Sequence, residues 1–179
     1  MLDQLNAVIA DLPKLLKERD QWQSLIVNRR KPHTYRVFRQ IGELRVCIHR
    51  FEVCDEQEAF LHPHPWPGAF CILRGSYLMT LGQSIDRVSE PTVSSKIVMV
   101  PGSKYEITSP LTWHSVTPIG DECWTIMVNG KPWDSSVAHA KVTTTKGKDL
   151  NSMESGDLRG FLDNALEIFL SLRNTKCLT

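Results

Sequence analysis

His62 and His64 stand two residues apart in the run Leu61-His62-Pro63-His64-Pro65-Trp66, and this spacing is the strongest chemical signal in the chain. In extended backbone, residues two apart point to the same side, so both imidazoles can converge on one point. Neutral imidazole nitrogens are the commonest protein ligands for transition metals. Pro63 and Pro65 cannot donate ladder hydrogen bonds, which places the pair at a strand end or barrel rim and not in a central strand. A third ligand has to come from elsewhere, and His114, in Thr112-Trp113-His114-Ser115-Val116, follows a proline-glycine turn at the start of another strand-like run. The separation of 50 residues between His64 and His114 suits ligands on neighbouring strands of one closed sheet, not a local finger. One divalent ion on His62, His64 and His114 is therefore the expected centre. His49 alternates with apolar neighbours and reads as a rim residue or as a group supporting the ligands, whereas His33 and His139 lie in polar surroundings and read as surface residues.

The rest of the chain supplies the strands such a centre needs. Leu44, Val46 and Ile48 alternate with Arg45, Cys47 and His49. Further strand-like runs cover Ala69 to Leu73, Tyr77 to Leu81, Lys96 to Val100 and Cys123 to Asn129. Gly75-Ser76, Gly82-Gln83, Pro101-Gly102 and Gly130-Lys131-Pro132 punctuate them as turns. Many short strands with no helix between them predict an all-β sandwich or barrel. Before them, Leu2, Leu5, Val8, Ile9, Leu12, Leu15 and Leu16 trace one face of a helix that Pro13 should break into two pieces. After them, the Ser-, Thr- and Lys-rich stretch from Trp133 to Ser155 reads as an exposed connection. Leu158, Phe161, Leu162, Ala165, Leu166, Phe169 and Leu172 then form a second apolar helical stripe, with Ser155 or Asp157 as its N-cap. The organisation expected is a helical lead-in and first strand over 1–43, a barrel over 44–134, and a connection with a C-terminal helix over 135–179.

With these motifs in place the chain resembles the cupin superfamily. His62-x-His64 followed by Gly75 resembles the first cupin motif, and Pro101-Gly102 leading to His114 the second, over roughly half the chain. The resemblance implies a double-stranded β-helix, or jelly-roll barrel, with peripheral helices at both ends. Many cupins carry a glutamate seven residues before the motif-one glycine, and this chain has Gly68 there. Cysteine dioxygenase and several related cupin dioxygenases also lack that glutamate and hold iron with three histidines. Tyr105, nine residues before His114, and Tyr35-Arg36, ahead of the first long strand, resemble the same branch. Tyr105 and Arg36 are thus the candidate catalytic residues. The thioether-forming cysteine of some cysteine dioxygenases would fall near Gly68, so no such cross-link is expected.

Three imidazoles add no charge, so a bound divalent ion would keep both of its positive charges and favour an anionic substrate. Fe(II) is the expected metal, with Zn, Ni or Mn as alternatives. The function expected is an Fe(II)-dependent dioxygenase acting on a small anionic metabolite; a metal-assisted or cofactor-independent isomerase or lyase, or a non-catalytic binding cupin, is the alternative. Arg36, Arg39, Arg45, Arg50 and Arg74 are candidates to pair with a carboxylate, and Trp66 and Trp113 to wall the pocket. Glu52, Asp55, Glu56, Glu58 or Glu106 could bring a fourth ligand from another direction. Cys71 reads as a small buried hydrophobe. A 2-oxoglutarate oxygenase would need an acid at His64, and no Gly-x-Ser-x-Gly motif supports a hydrolase.

Composition excludes other classes. Lys and Arg total 21 against 20 for Asp and Glu, a net charge of +1, which gives no field to draw in nucleic acid or an anionic membrane. The basic run Asn28-Arg29-Arg30-Lys31 is short and reads as a solvated turn. The first 20 residues lack the basic leader and apolar core of a signal peptide. Five cysteines, an odd number with no C-x-x-C pair, fit reduced thiols and a cytoplasmic location. An exposed sheet edge and two peripheral helices favour a homodimer.

Overall fold

The computed structural model describes residues 1–27, 31–133 and 151–175. The chain begins with α1 (Leu2–Lys17) and a single 3₁₀ turn, then runs through ten strands: β1 (Gln23–Ile26), β2 (Thr34–Ile41), β3 (Leu44–Phe51), β4 (His62–Pro63), β5 (Gly68–Arg74), β6 (Tyr77–Gln83), β7 (Val93–Met99), β8 (Lys104–Ile107), β9 (Thr112–Pro118) and β10 (Cys123–Asn129). It ends on α2 (Ser155–Asn174). Every strand pairing is antiparallel. Two sheets result, one in the order β1-β2-β3-β10-β5-β8 and the other in the order β4-β9-β6-β7. This is the all-β, cupin-type jelly roll that the motifs imply, with a helix at each end.

Alternation along the strands sorts side chains between two apolar layers. Val46 and Ile48 of β3, Ala69, Cys71 and Leu73 of β5, and Trp124, Ile126 and Val128 of β10 face the helices, where Leu5, Leu12 and Leu16 of α1 and Phe161, Leu162 and Phe169 of α2 cover them. The intervening residues, Cys47, Phe70, Ile72, Cys123 and Met127, face the inside of the barrel with Tyr77, Met79 and Ile107. Both faces of β10 are thus covered, which is why all seven of its residues are buried and why Cys-Trp-Thr-Ile-Met-Val-Asn shows no polar alternation. Cys71 packs in the outer layer as the small buried hydrophobe expected. The four described cysteines, Cys47, Cys54, Cys71 and Cys123, are free thiols.

Several boundaries differ from the sequence reading. Pro13 does not divide α1, which runs unbroken from Leu2 to Lys17. An internal proline costs roughly 3 kcal/mol, whereas each large apolar side chain buried returns about 1.5–3 kcal/mol. Leu12 and Leu16, 0% and 2% exposed, flank the proline and together outweigh it. Glu154 occupies the N-cap position of α2, and neither Ser155 nor Asp157 does, because both already lie inside the helix. Tyr35 and Arg36 sit within β2, not ahead of the first long strand. β1 and β8 are strands that the alternation did not single out, and β7 begins at Val93 instead of Lys96. His139, Cys177 and most of the connection after Trp133 lie outside the described residues, as do Asn28, Arg29 and Arg30. Among the described residues no helix is long and apolar enough to cross a membrane.

Candidate metal centre

Two strands of the four-stranded sheet bring the histidines together. β4 pairs antiparallel with β9 so that His62 lies directly opposite His114. His64, two residues on, takes the same side of the chain and reaches His114, with the two Nε2 atoms 2.8 Å apart. One ring nitrogen from each of His62, His64 and His114 lies within 4.8 Å of the others. Ring centroids are 5.2 Å apart for His62 and His64, 5.0 Å for His62 and His114, and 4.7 Å for His64 and His114. Proline on both sides of His64 suits this position, because the segment leaves the short β4 there and crosses to the other sheet.

The donors are in the form that binds metal. Burial pushes all three histidines below their ordinary pKa, and for His64 and His114 proximity to neighbouring imidazoles adds to it. They are neutral at pH 7. His62 directs Nδ1 at the Phe60 carbonyl, 2.9 Å away, so its proton sits there and Nε2 keeps a lone pair. His64 and His114 are 3–8% exposed, and Nδ1 of His114 has no partner. With metal-to-nitrogen bonds of about 2.0–2.1 Å, ligands at right angles lie about 2.9 Å apart and tetrahedral ligands about 3.4 Å apart. The 2.8 Å spacing of the His64 and His114 nitrogens matches the former. The three residues present therefore offer neutral nitrogen donors close enough together to share a divalent ion.

No carboxylate joins them among the described residues. Glu52 accepts from the His33 N–H and the Tyr35 hydroxyl, Glu58 from the Asp55 N–H, Glu56 pairs with Lys96, and Glu106 pairs with the N-terminal amine. Gly68, where many cupins place their acid, has its Cα against Asn129: a Cβ there would lie 2.9 Å from Asn129 Oδ1.

The six-stranded sheet supplies the opposite wall. His64 packs edge-on against Phe70 at 5.3 Å, and Phe70 stacks flat on Tyr105 at 4.6 Å. Tyr105 lies 6.2 Å from His114, centroid to centroid. The Tyr77 hydroxyl donates to the Tyr105 oxygen at 2.9 Å, so the Tyr105 proton is free for another acceptor. Burial pushes the Tyr105 pKa far up, and the proton stays on at any ordinary pH. Arg36 faces His49 across β2 and β3, and its Nε donates to His49 Nε2 at 2.7 Å. That contact fixes the His49 proton on Nδ1, 3.4 Å from Thr125 Oγ1. Loss of hydration, followed by the Arg36 charge, holds His49 well below its usual pKa. His49 is 3% exposed, which makes it an interior support for Arg36 and not a rim residue.

The other candidate arginines part company. Arg45 faces inward with its guanidinium 4.0 Å over Phe38. Arg39 pairs with Glu18 and lies over Trp22, and Arg50 lies over Tyr35, both on the helix side of the sheet. Arg74 is exposed at the end of β5. Trp113 neighbours His114 on β9, so it points to the opposite face and does not wall the cluster. Sequence reasoning missed Phe70, Tyr77 and Asn129, which are ordinary strand residues until the barrel closes around them.

Comparison with solved structures finds hydroxypropylphosphonic acid epoxidase from S. wedmorenis, 14% identical, with a TM-score of 0.49 over 62% of this chain and 56% of that one. A crystal structure of Fe(II) HppE in complex with substrate is 15% identical with a TM-score of 0.49, covering 62% and 57% of the two chains. Co(II) HppE in complex with substrate is 14% identical with a TM-score of 0.43, covering 54% and 51%. This chain spans about half the length of these structures. At such identity and overlap their chemistry does not transfer to it. No family model matches the chain, and no curated protein does.

Proposed function

We propose that this chain is an Fe(II)-dependent dioxygenase of the three-histidine cupin kind, acting on a small anionic metabolite. The observation that carries the reading is the neutral cluster of His62, His64 and His114 beside an interior arginine, Arg36, that makes no ion pair among the described residues. An iron ion held by the three imidazoles would supply the redox chemistry needed to use dioxygen. The protein's own groups do the remaining work. Arg36, its Nε tied to His49, retains two terminal nitrogens for bidentate pairing with a carboxylate. Dehydration, which lowers its pKa, also strengthens that pairing, because a counter-charge is then poorly screened. Tyr105 keeps its proton and can donate it in a hydrogen bond to a bound anion. Phe70, Met127 and Cys47 line the wall and exclude water. Arg36 and Tyr105 on the inner wall are the support for a cysteine dioxygenase-like assignment.

The test is oxygen consumption by protein reconstituted anaerobically with Fe(II), measured against thiols, diketones and aromatic diols. Uptake that depends on iron and on an anionic substrate is expected, with Arg36→Gln raising KM more than it lowers kcat. Stoichiometric metal with no uptake would instead favour a redox-neutral isomerase or lyase, or a binding protein. Zn, Ni and Mn can occupy the same nitrogens, so metal content alone does not decide.

A further inference from the structure

β7 ends the four-stranded sheet on the side away from β4 and pairs with β6 alone among the described residues. Six of its seven residues are exposed, and the edge turned away from β6 offers backbone N–H and C=O groups that no described strand takes up. Ile97 lies opposite Met79 and Met99 opposite Tyr77, so these two take the barrel face of the sheet, while Lys96 and Val98 take the outer face. Ile97 is nevertheless 42% exposed, Val98 57%, and Val100, just beyond the strand, 48%. Apolar surface on both faces of one edge suits a further strand, whose side chains cover both, better than a molecule bound to either face. Natural sheets guard such an edge with charge or proline. The single charge within β7, Lys96, is taken by Glu56, and the nearest prolines, Pro91 and Pro101, stand outside the strand.

The charges around β7 identify the strand that would be added. Glu90 stands seven residues before Ile97 and Lys104 seven after it, and neither joins an ion pair among the described residues. Two copies of the chain set antiparallel across a twofold axis at Ile97 bring the Glu90 end of each β7 to the Lys104 end of the other. In that register Ile97 faces its own counterpart, and Lys96 faces Val98 of the second copy. Centring on Lys96 instead would oppose two ammonium groups. A net charge of +1 leaves the copies little mutual repulsion.

We propose that β7 is a homodimer interface, at which two four-stranded sheets join edge to edge. The histidines are not part of it: β4 lies at the opposite margin of the sheet, so the contact forms whether or not they hold metal. A seven-residue strand spans about 23 Å. So short a contact belongs with the small interfaces that dissociate readily, and the dimer exchanges with monomer at micromolar concentrations.

Sedimentation equilibrium of the full chain, from about 5 μM to about 500 μM, should show a reversible doubling of mass. His64→Ala should associate as the wild type does. Val98→Lys sets ammonium groups against Lys96 of the other copy at two places and should weaken association about tenfold. Val98→Glu gives Lys96 a partner instead, and should associate at least as well as the wild type. Amide exchange at alternate residues of β7 should slow as concentration rises, since only alternate N–H groups of an edge strand point outward. Val98 is exposed, so circular dichroism should not change; should either variant fail to fold, the exchange measurement on the wild type decides. Mass that stays monomeric throughout would overturn the proposal. So would equal weakening by Val98→Lys and Val98→Glu, loss of association in His64→Ala, or a dimer whose β7 amides exchange at the monomer's rate.

Discussion

Replacing Gly75 by alanine tests how the two sheets are joined. Gly75 turns the chain from β5, in the six-stranded sheet, into β6, in the four-stranded one, at φ +73°. A Cβ at this position would lie 2.5 Å from the Glu122 carbonyl oxygen and 3.1 Å from the Cys123 Cα, both backbone atoms at the entry to β10. Gly42, in the turn between β2 and β3, has φ +57° and nothing within 4 Å of the same atom. The left-handed backbone alone costs alanine roughly 1–2 kcal/mol, offset by about 0.4–1 kcal/mol from a stiffer unfolded chain. Gly42→Ala should therefore lose up to roughly 1.5 kcal/mol. Gly75→Ala bears the same term, and must also push apart Cys123 from its register with Phe51, a close-packing penalty of about 1–3 kcal/mol. The expected total is about 1–4.5 kcal/mol. Urea unfolding of both variants at neutral pH, with the slope checked for constancy, measures the difference. Equal losses for the two glycines would refute the steric argument and leave only backbone conformation to explain the motif-one glycine.

Other perturbations have equally definite outcomes. His64→Ala should abolish stoichiometric metal binding, read by inductively coupled plasma spectrometry after dialysis, while circular dichroism stays unchanged, since barrel packing does not run through the imidazoles; a variant that unfolds would make the centre structural. Asp86 accepts from the Ser89 and Val88 N–H groups, and these bonds draw its pKa down to about 2 from an ordinary value near 3.8. Its contribution is then present above about pH 4 and lost as pH falls toward 2, so Asp86→Asn should flatten the acid limb of a stability profile in that window alone. Arg87, in the same loop, has φ +62°, and Arg87→Gly should gain up to about 1 kcal/mol in the same unfolding assay by relieving left-handed strain. Tyr105→Phe should leave metal content intact and lower turnover in the oxygen-uptake assay about tenfold or more, with unchanged turnover removing Tyr105 from the reaction.

What the chain disclosed in one dimension followed from periodicity. The alternation of Leu44 to Ile48 and the apolar run from Cys123 located β3 and β10 because packing on both sides of the sheet leaves a dense, local signature. His62 and His64 could be paired for the same reason, as a spacing of two has one meaning in extended backbone. His114 needed the turn before it as well as its own type. The interior roles of His49 and Arg36 were harder to see: their contact is set by the register of β2 on β3, and register is a property of two strands together. Pro13 misled because a local rule lost to burial of Leu12 and Leu16. The short strands β1 and β8 carry too few residues for any period to show, and they exist because a longer neighbour offers an edge.

β4 is two residues long and is secured along one side only, by β9. His62 lies within it and His64 just past its end, so two of the three rings ride on the least anchored piece of the sandwich. Breaking very few backbone bonds would release that margin, an event far cheaper than opening the body of either sheet. Of residues 62–64 only His62 and His64 carry an amide hydrogen, and exchange at these two should run ahead of exchange in β10 by orders of magnitude.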